Sequence, residues 1–232
     1  MRQQEPIRTV KPSGPVSNPM PLMLSTNSPS LSTYDANTRA RCRAGRRIAR
    51  MYDDLRIIFY PDPRLKKVSA PVEHFDENLK SLAARMLELM RANRGVGLAA
   101  PQVGINLRMF VMNHTGEPED DRAYVNPILT EAEGSEEAEE GCLSLPGIHI
   151  NVDRSKRMRM QAKDLDGNPI DQTETGYIAR IWQHEFDHLN GIMLTNHMGT
   201  VAKMTNRRVL KELEENYAAE HGKKTKPNKR NM

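Results

Sequence analysis

The chain has 232 residues, enough for one domain with a real core, and 38% of them are hydrophobic. Its formal charge of +4 is unevenly spread: residues 1–50 carry nine Arg and Lys against Glu5 and Asp35, residues 222–232 carry five cations, and residues 51–221 are left at −8. An acidic centre argues against specific DNA binding or direct work on nucleic acid, two cysteines exclude a disulfide framework, and no apolar run approaches the roughly 18 residues of a membrane span.

Residues 1–53 read as a disordered extension. Pro6, Pro12, Pro15, Pro19, Pro21 and Pro29 interleave with Ser, Thr and Asn, and neither a 2.0 nor a 3.6 period survives. Residues 55–60 then suggest a short extended segment, closed by the turn Pro61-Asp62-Pro63. Asp76 is a plausible N-cap for a helix with Leu79, Leu82, Ala83, Met86, Leu87 and Met90 at helical spacing, and Gly95 is placed to end it. Residues 108–113 read as a strand. Residues 123–129 read as another, at a sheet edge because Pro127 interrupts it. Residues 156–163 alternate, with Met158, Met160 and Ala162 on one side, and Asp166-Gly167 signals a hairpin after them. A helix over residues 174–190 stops at Gly191; Tyr177, Ile181, His184 and His188 share one stripe, and Ile178, Trp182, Glu185 and Leu189 the next. A third helix over residues 201–219 turns Leu210, Leu213 and Tyr217 inward, and residues 221–232 form a basic disordered tail. Hairpins without βαβ units suggest an α+β fold.

The strongest local signal is His184-Glu185-Phe186-Asp187-His188. Residues four apart on a helix share a face, so both imidazoles can reach one metal, and Glu185 stands beside that face, where it can take a proton from water. A catalytic site of this kind needs a third protein ligand. Downstream, His197 is the near candidate; upstream, Cys142 stands in Glu139-Glu140-Gly141-Cys142-Leu143-Ser144-Leu145-Pro146-Gly147. A free Cys is more often a small buried hydrophobe, and Glu139 and Glu140 fit a solvated acidic loop with Glu133, Glu136 and Glu137. The third segment, residues 95–104, is glycine-rich and ends Leu98-Ala99-Ala100-Pro101-Gln102-Val103-Gly104; it lacks the Lys and Ser/Thr of a phosphate loop.

Taken together, in order and in wording, these segments resemble the three signature motifs of peptide deformylases: a Gly-Leu-Ala-Ala-x-Gln loop, a Glu-Gly-Cys-Leu-Ser strand and a His-Glu-x-x-His helix. The likeness runs from about Leu55 to Ala219 and includes Pro61-Asp62-Pro63-Arg64-Leu65 near the start. It implies a catalytic domain over residues 54–220, with small antiparallel sheets packed around a central metal-binding helix, flanked by an N-terminal and a C-terminal helix. It implies hydrolysis of the formyl group from N-formylmethionyl nascent peptides. It carries Cys142 (as thiolate), His184 and His188 over as ligands of one Fe2+, which Zn2+ or Ni2+ replaces in some members. Glu185 then matches the catalytic acid/base, and Gln102 (side-chain amide) with Leu143 (backbone N–H) the groups that hold the formyl oxygen. The methionine pocket would be lined by Val96, Gly97, Tyr177, Ile181 and His184. Arg180 departs from the pattern, standing where relatives often carry an aliphatic residue, and His149 at the cleft rim is assigned nothing. Glu140 with Arg154 reads either as a buried pair supporting the Cys142 strand or as a surface pair.

The resemblance also implies ribosome docking through Arg207, Arg208, Lys211 and the run from Lys223 to Arg230. A bacterial cytoplasmic enzyme is expected. For residues 1–50 the readings are an Arg- and Ser-rich organellar transit peptide, a start set too early with Met20, Met23 or Met51 as the true one, or a basic arm. Two rival functions remain: a zinc endopeptidase, which shares the helix motif but has no use for Cys142 or Gln102, and a non-catalytic RNA-docking protein using the basic ends.

Overall fold

The computed structural model describes residues 50–222. Most of the expected extension and basic tail, together with Cys42, lie outside the described residues.

Residues 55–59 run extended without joining a sheet. The Ile58 N–H donates to Gln102 O (2.8 Å) and the Tyr60 N–H to Ser144 O (3.0 Å), so this segment is tied to two of the three motif segments. Helix α1 (Glu77–Ala92) starts as expected: the Asp76 carboxylate accepts from the N–H groups of Asn78 and Leu79, both at 3.0 Å. Its termination differs. Arg94, at φ 56°, adopts the left-handed conformation, and the Gly95 N–H reaches back to Met90 O at 2.9 Å. Gly95 answers a different need, since a Cβ there would lie 2.6 Å from Leu143 Cδ1.

Strands β1 (Gly97–Ala99), β2 (Met109–Met112), β3 (Arg122–Glu133), β6 (Arg157–Lys163) and β7 (Pro169–Thr175) form one antiparallel sheet in the order β1-β2-β3-β6-β7. The glycine-rich turn thus contributes an edge strand, with Leu98 opposite Val111. β3 is interior, not an edge. Pro127 is tolerated because the register with β6 shifts between Val125 and Ile128. Asn126, at φ 53°, takes up the irregularity and bonds both the N–H and the carbonyl of Val72 through its amide at 2.8 Å.

Strands β4 (Glu136–Cys142) and β5 (Leu145–Arg154) make a separate hairpin with Ala138 opposite Val152. Part of the acidic "loop" is therefore a strand. It alternates, with Glu137, Glu139 and Gly141 exposed and Glu140 and Cys142 buried.

Helix α2 (Gly176–Leu189) begins two residues later than expected, because Glu174 and Thr175 belong to β7 and Gly176, at φ 59°, makes the turn out of the strand. Ala179, Trp182 and Leu189 pack on Phe110, Tyr124, Met158 and Met160 of the large sheet. The buried Met158, Met160 and Ala162 are the expected inward face of β6. On the hairpin side, Leu145, Ile148, Ile150 and Val152 pack with Met193 and Leu194. A third cluster joins α1 to Leu98, Met109 and Val111. So α2 lies between the large sheet and the hairpin.

The expected third helix is two: α3 (Thr200–Thr205) and α4 (Arg207–His221). Asn206 breaks them apart, at φ −91° and ψ 3°, with its amide donating to Ala202 O (2.9 Å) in competition with the helical ladder. Leu210 and Leu213 pack toward the hairpin core. Tyr217 is only half-buried and stacks on His221 at 4.1 Å.

Candidate active site and metal centre

Cys142 closes β4 where the register with β5 shifts, which brings it opposite Leu145 and leaves Leu143 in the turn. His184 and His188 stand one turn apart on the α2 face turned to that hairpin, with ring centroids 5.1 Å apart. Donor atoms of the three residues all lie within 4.8 Å of one another, and Cys142 Sγ is 3.3 Å from His188 Nε2. His184 Nδ1 lies 2.9 Å from Glu140 Oε2, so its Nε2 is the nitrogen free to bind. His197, the alternative downstream ligand, instead bonds Asp187 at 2.8 Å and stands apart from the cluster.

Glu140 and Arg154 are a buried pair. Arg154 donates to both Glu140 oxygens (3.0 and 3.1 Å) and to Asp187 Oδ2 (2.6 Å). Burial alone would raise the Glu140 carboxyl, but His184 and Arg154 outweigh it and hold it down at about 2. For His184, burial favours the neutral ring, while Cys142 and Glu140 outweigh it and raise the imidazole well above its ordinary value. Burial lowers His188. Glu185, 4% exposed, is pushed up to about 7, chiefly by burial. Its Oε2 and His188 Nδ1 are buried without a hydrogen-bond partner.

Gln102 is fully enclosed. Its Oε1 accepts from the Ala99 N–H (2.8 Å), which fixes the amide and turns Nε2 toward Ser144 Oγ (3.3 Å) and Cys142 Sγ (3.6 Å). A cavity of about 630 Å³ opens over these groups. It is lined by Val96, Gly97, Gln102, Cys142, Leu143, Tyr177, Ile181, His184 and Glu185, so of the residues that the family motifs single out only His188, which is buried, does not reach it. Tyr177, 57% exposed, stands at its mouth; Ile181 is buried in its wall. His149, at the rim, packs its ring over Gly141, where a Cβ would come within 2.9 Å.

Two contributors were missed in the sequence, and a third, Arg180, was singled out there only as a departure from the family pattern. Ser144 accepts from Gln102 while wholly buried, Phe59 adds apolar surface at the mouth, and Arg180 is folded into the Glu140 network. Of the two missed, only Ser144, inside the Cys142 motif, carried a local signal.

The family described as Polypeptide deformylase matches residues 54–204. The chain is 42% identical over 170 residues to the peptide deformylase of Rhodopirellula baltica, covering 72% of this chain and 85% of that protein. It is 43% identical over 159 residues to that of Thermotoga maritima, covering 68% of this chain and 95% of that one. The fold matches a peptide deformylase crystal structure from Plasmodium falciparum with a TM-score of 0.70 at 38% identity, covering 72% of this chain and 99% of that one. The chain belongs to the polypeptide deformylase family. It is an α+β hydrolase that removes the formyl group from nascent polypeptides.

That family implies a catalytic metal, and the donor set fits one. A tetrahedral ion with bonds of about 2.3 Å to sulfur and about 2.0 Å to nitrogen keeps neighbouring donors about 3.5 Å apart. The observed 3.3 Å between Sγ and Nε2 is close to that spacing. A thiolate with two imidazoles suits Fe2+, Zn2+ or Ni2+ better than Mg2+ or Ca2+.

Proposed function

We propose that Cys142, His184 and His188 hold one Fe2+, replaceable by Zn2+ or Ni2+, and that Glu185, Gln102 and Leu143 perform the chemistry around it. The observation that carries this reading is the convergence of three donors within 4.8 Å of one another beside a cavity that Cys142, His184, Glu185 and Gln102 line. When bound, the ion supplies Lewis acidity, polarising the formyl carbonyl and bringing the pKa of a water toward about 7. Glu185 takes a proton from the attacking water. As the formyl carbon becomes tetrahedral, negative charge grows on its oxygen, and Gln102 Nε2 and the Leu143 N–H donate to it. Glu185 then hands its proton to the amine nitrogen as the C–N bond breaks, releasing formate and a free N-terminus. A carboxyl near neutrality suits both halves of that cycle. The anchor on Gln102 Oε1 matters because a donor already aimed costs no reorganisation; losing one such donor typically costs about 10²–10³ in rate.

The methionine side chain occupies the pocket of Val96, Gly97, Tyr177 and Ile181. Residues 54–220 form the catalytic domain, and the flanking segments carry no catalytic group. The exposed Arg207, Arg208 and Lys211 of α4, continued by the cations from Lys223 to Arg230, dock the enzyme on ribosomal RNA. The enzyme works in a bacterial cytoplasm; the bacterial origin of the Rhodopirellula and Thermotoga relatives supports this. Among the described residues no helix is long and apolar enough to cross a membrane. The zinc endopeptidase alternative is not favoured, since it would leave Cys142 and Gln102 without a task.

Glu185→Gln tests the mechanism. Formate release from a formyl-Met tripeptide is expected to fall by about 10²–10⁴ while metal content stays at one ion per chain. Activity within a few-fold of wild type would remove Glu185 from the reaction.

A further inference from the structure

Arg180 stands on α2 one turn before His184 and is 7% exposed. Its Nη1 donates to Glu140 Oε1 (2.9 Å) and to Val152 O (2.8 Å), and its Nη2 donates to Glu136 O. All three acceptors belong to the β4–β5 hairpin. One guanidinium thus bridges the helix that carries His184 and His188 to the hairpin that carries Cys142. A buried guanidinium is costly unless its charge is matched and its donors are used. Glu140 supplies the charge, and the two carbonyls use the remaining fork.

Arg154 also bonds Glu140, but from β5, the same hairpin; its own link to α2 is through Asp187, which is shared with His197. The Arg180 link runs the other way, from helix to hairpin, and it grips Glu140 by the oxygen that His184 does not use. With Oε1 held by both arginines and Oε2 by Arg154 Nη2 (3.1 Å), the carboxylate is fixed with Oε2 aimed at His184 Nδ1.

We propose that Arg180 is a positioning residue for the metal site: it sets the separation of the Cys142 hairpin from the His184–His188 helix and locks Glu140 in the pose that presents His184 Nε2. This rests on Cys142, His184 and His188 being the ligands. The stem serves as wall beside Ile181, and the head serves the ligand set. Loss of an outer partner of this kind typically weakens metal binding about 10–100-fold.

The test is the release of Zn2+ or Co2+ from the metal-loaded full chain to excess chelator, with the visible bands of the cobalt form as a second readout. Arg180→Met keeps a stem and removes the fork. It is expected to release metal about 10–100-fold faster and to shift the cobalt bands. Arg180→Lys, whose ammonium can reach Glu140 but cannot also serve both carbonyls, is expected to recover part of the loss. Release within two-fold of wild type with unchanged bands in Arg180→Met would overturn the proposal. So would equal release from the Met and Lys variants, which would trace the effect to lost helix packing. If Arg180→Met does not fold, Arg180→Gln carries the same expectation. The wild type and Cys142→Ala run alongside: a wild type that holds no ion, or a Cys142→Ala chain that holds it equally well, overturns the ligand reading itself.

Discussion

Gly97→Ala probes the mechanism without replacing a reacting group. Gly97 lies in β1 opposite Met112 and has no positive φ, so its backbone accepts alanine without strain. The difficulty is the carboxylate next door. The new Cβ would meet Glu185 Oε1 first and would lie 2.9 Å from its Cδ and 3.0 Å from its Cγ. Relaxed carbon contacts are about 3.5–4.0 Å, so the two groups must separate by roughly 0.5–1 Å. β1 is held by its ladder to β2, whereas Glu185 Oε2 has no hydrogen bond to resist displacement, so the carboxylate is what moves. A misplacement of about 1 Å at the reacting centre can cost about 10²-fold, equivalent to ~2.7 kcal/mol of transition-state stabilisation. Overpacking of this size destabilises by about 1–3 kcal/mol, so the domain should remain folded at assay temperature. The assay is formate release from a formyl-Met tripeptide at saturating concentration, with metal content measured on the same sample. Because Gly97 also lines the cavity, KM can rise through crowding; displacement of Glu185 must show in kcat. A kcat within three-fold of wild type would refute the reasoning. So would a fall in kcat matched by an equal fall in metal content, which would place the damage on the ligands.

Other consequences are as direct. With Cys142 as thiolate ligand, an iron-loaded enzyme loses activity in air faster than a nickel-loaded one, and equal aerobic half-lives would count against iron–thiolate lability. A chain beginning at Met51 keeps the melting temperature and turnover of the full chain; a large loss of either would move the proposed domain boundary. Truncation after His221 weakens ribosome co-sedimentation at low salt, and unchanged co-sedimentation would remove the tail from docking.

How much of this was legible in the chain depended on range. Asp76 as a cap, Met158, Met160 and Ala162 as one face of a strand, and His184 and His188 on one face of a helix all follow from spacing within a few residues. So does Glu185 beside the histidines. Matters of contact between distant segments were less visible. Pro127 reads as an edge signal, yet its strand is interior because a register shift against β6, some thirty residues on, gives it room. Glu140 reads as one more acid in an acidic run; it is buried because strand alternation turns it inward onto two arginines and a histidine from β5 and α2. Arg180 carries no local sign of its partners. From the chain alone, Cys142 and His197 were both open as third ligand until the family motifs were weighed. The fold separates them, since packing between the hairpin and α2 brings Sγ to 3.3 Å from His188 Nε2 and leaves His197 on Asp187. Backbone periodicity places side chains on a face, and that is a property of neighbours in sequence. Which faces meet, and therefore which buried charge finds its counterion and which thiol finds its imidazoles, is set by packing between elements far apart in the chain, and only the tertiary structure decides it.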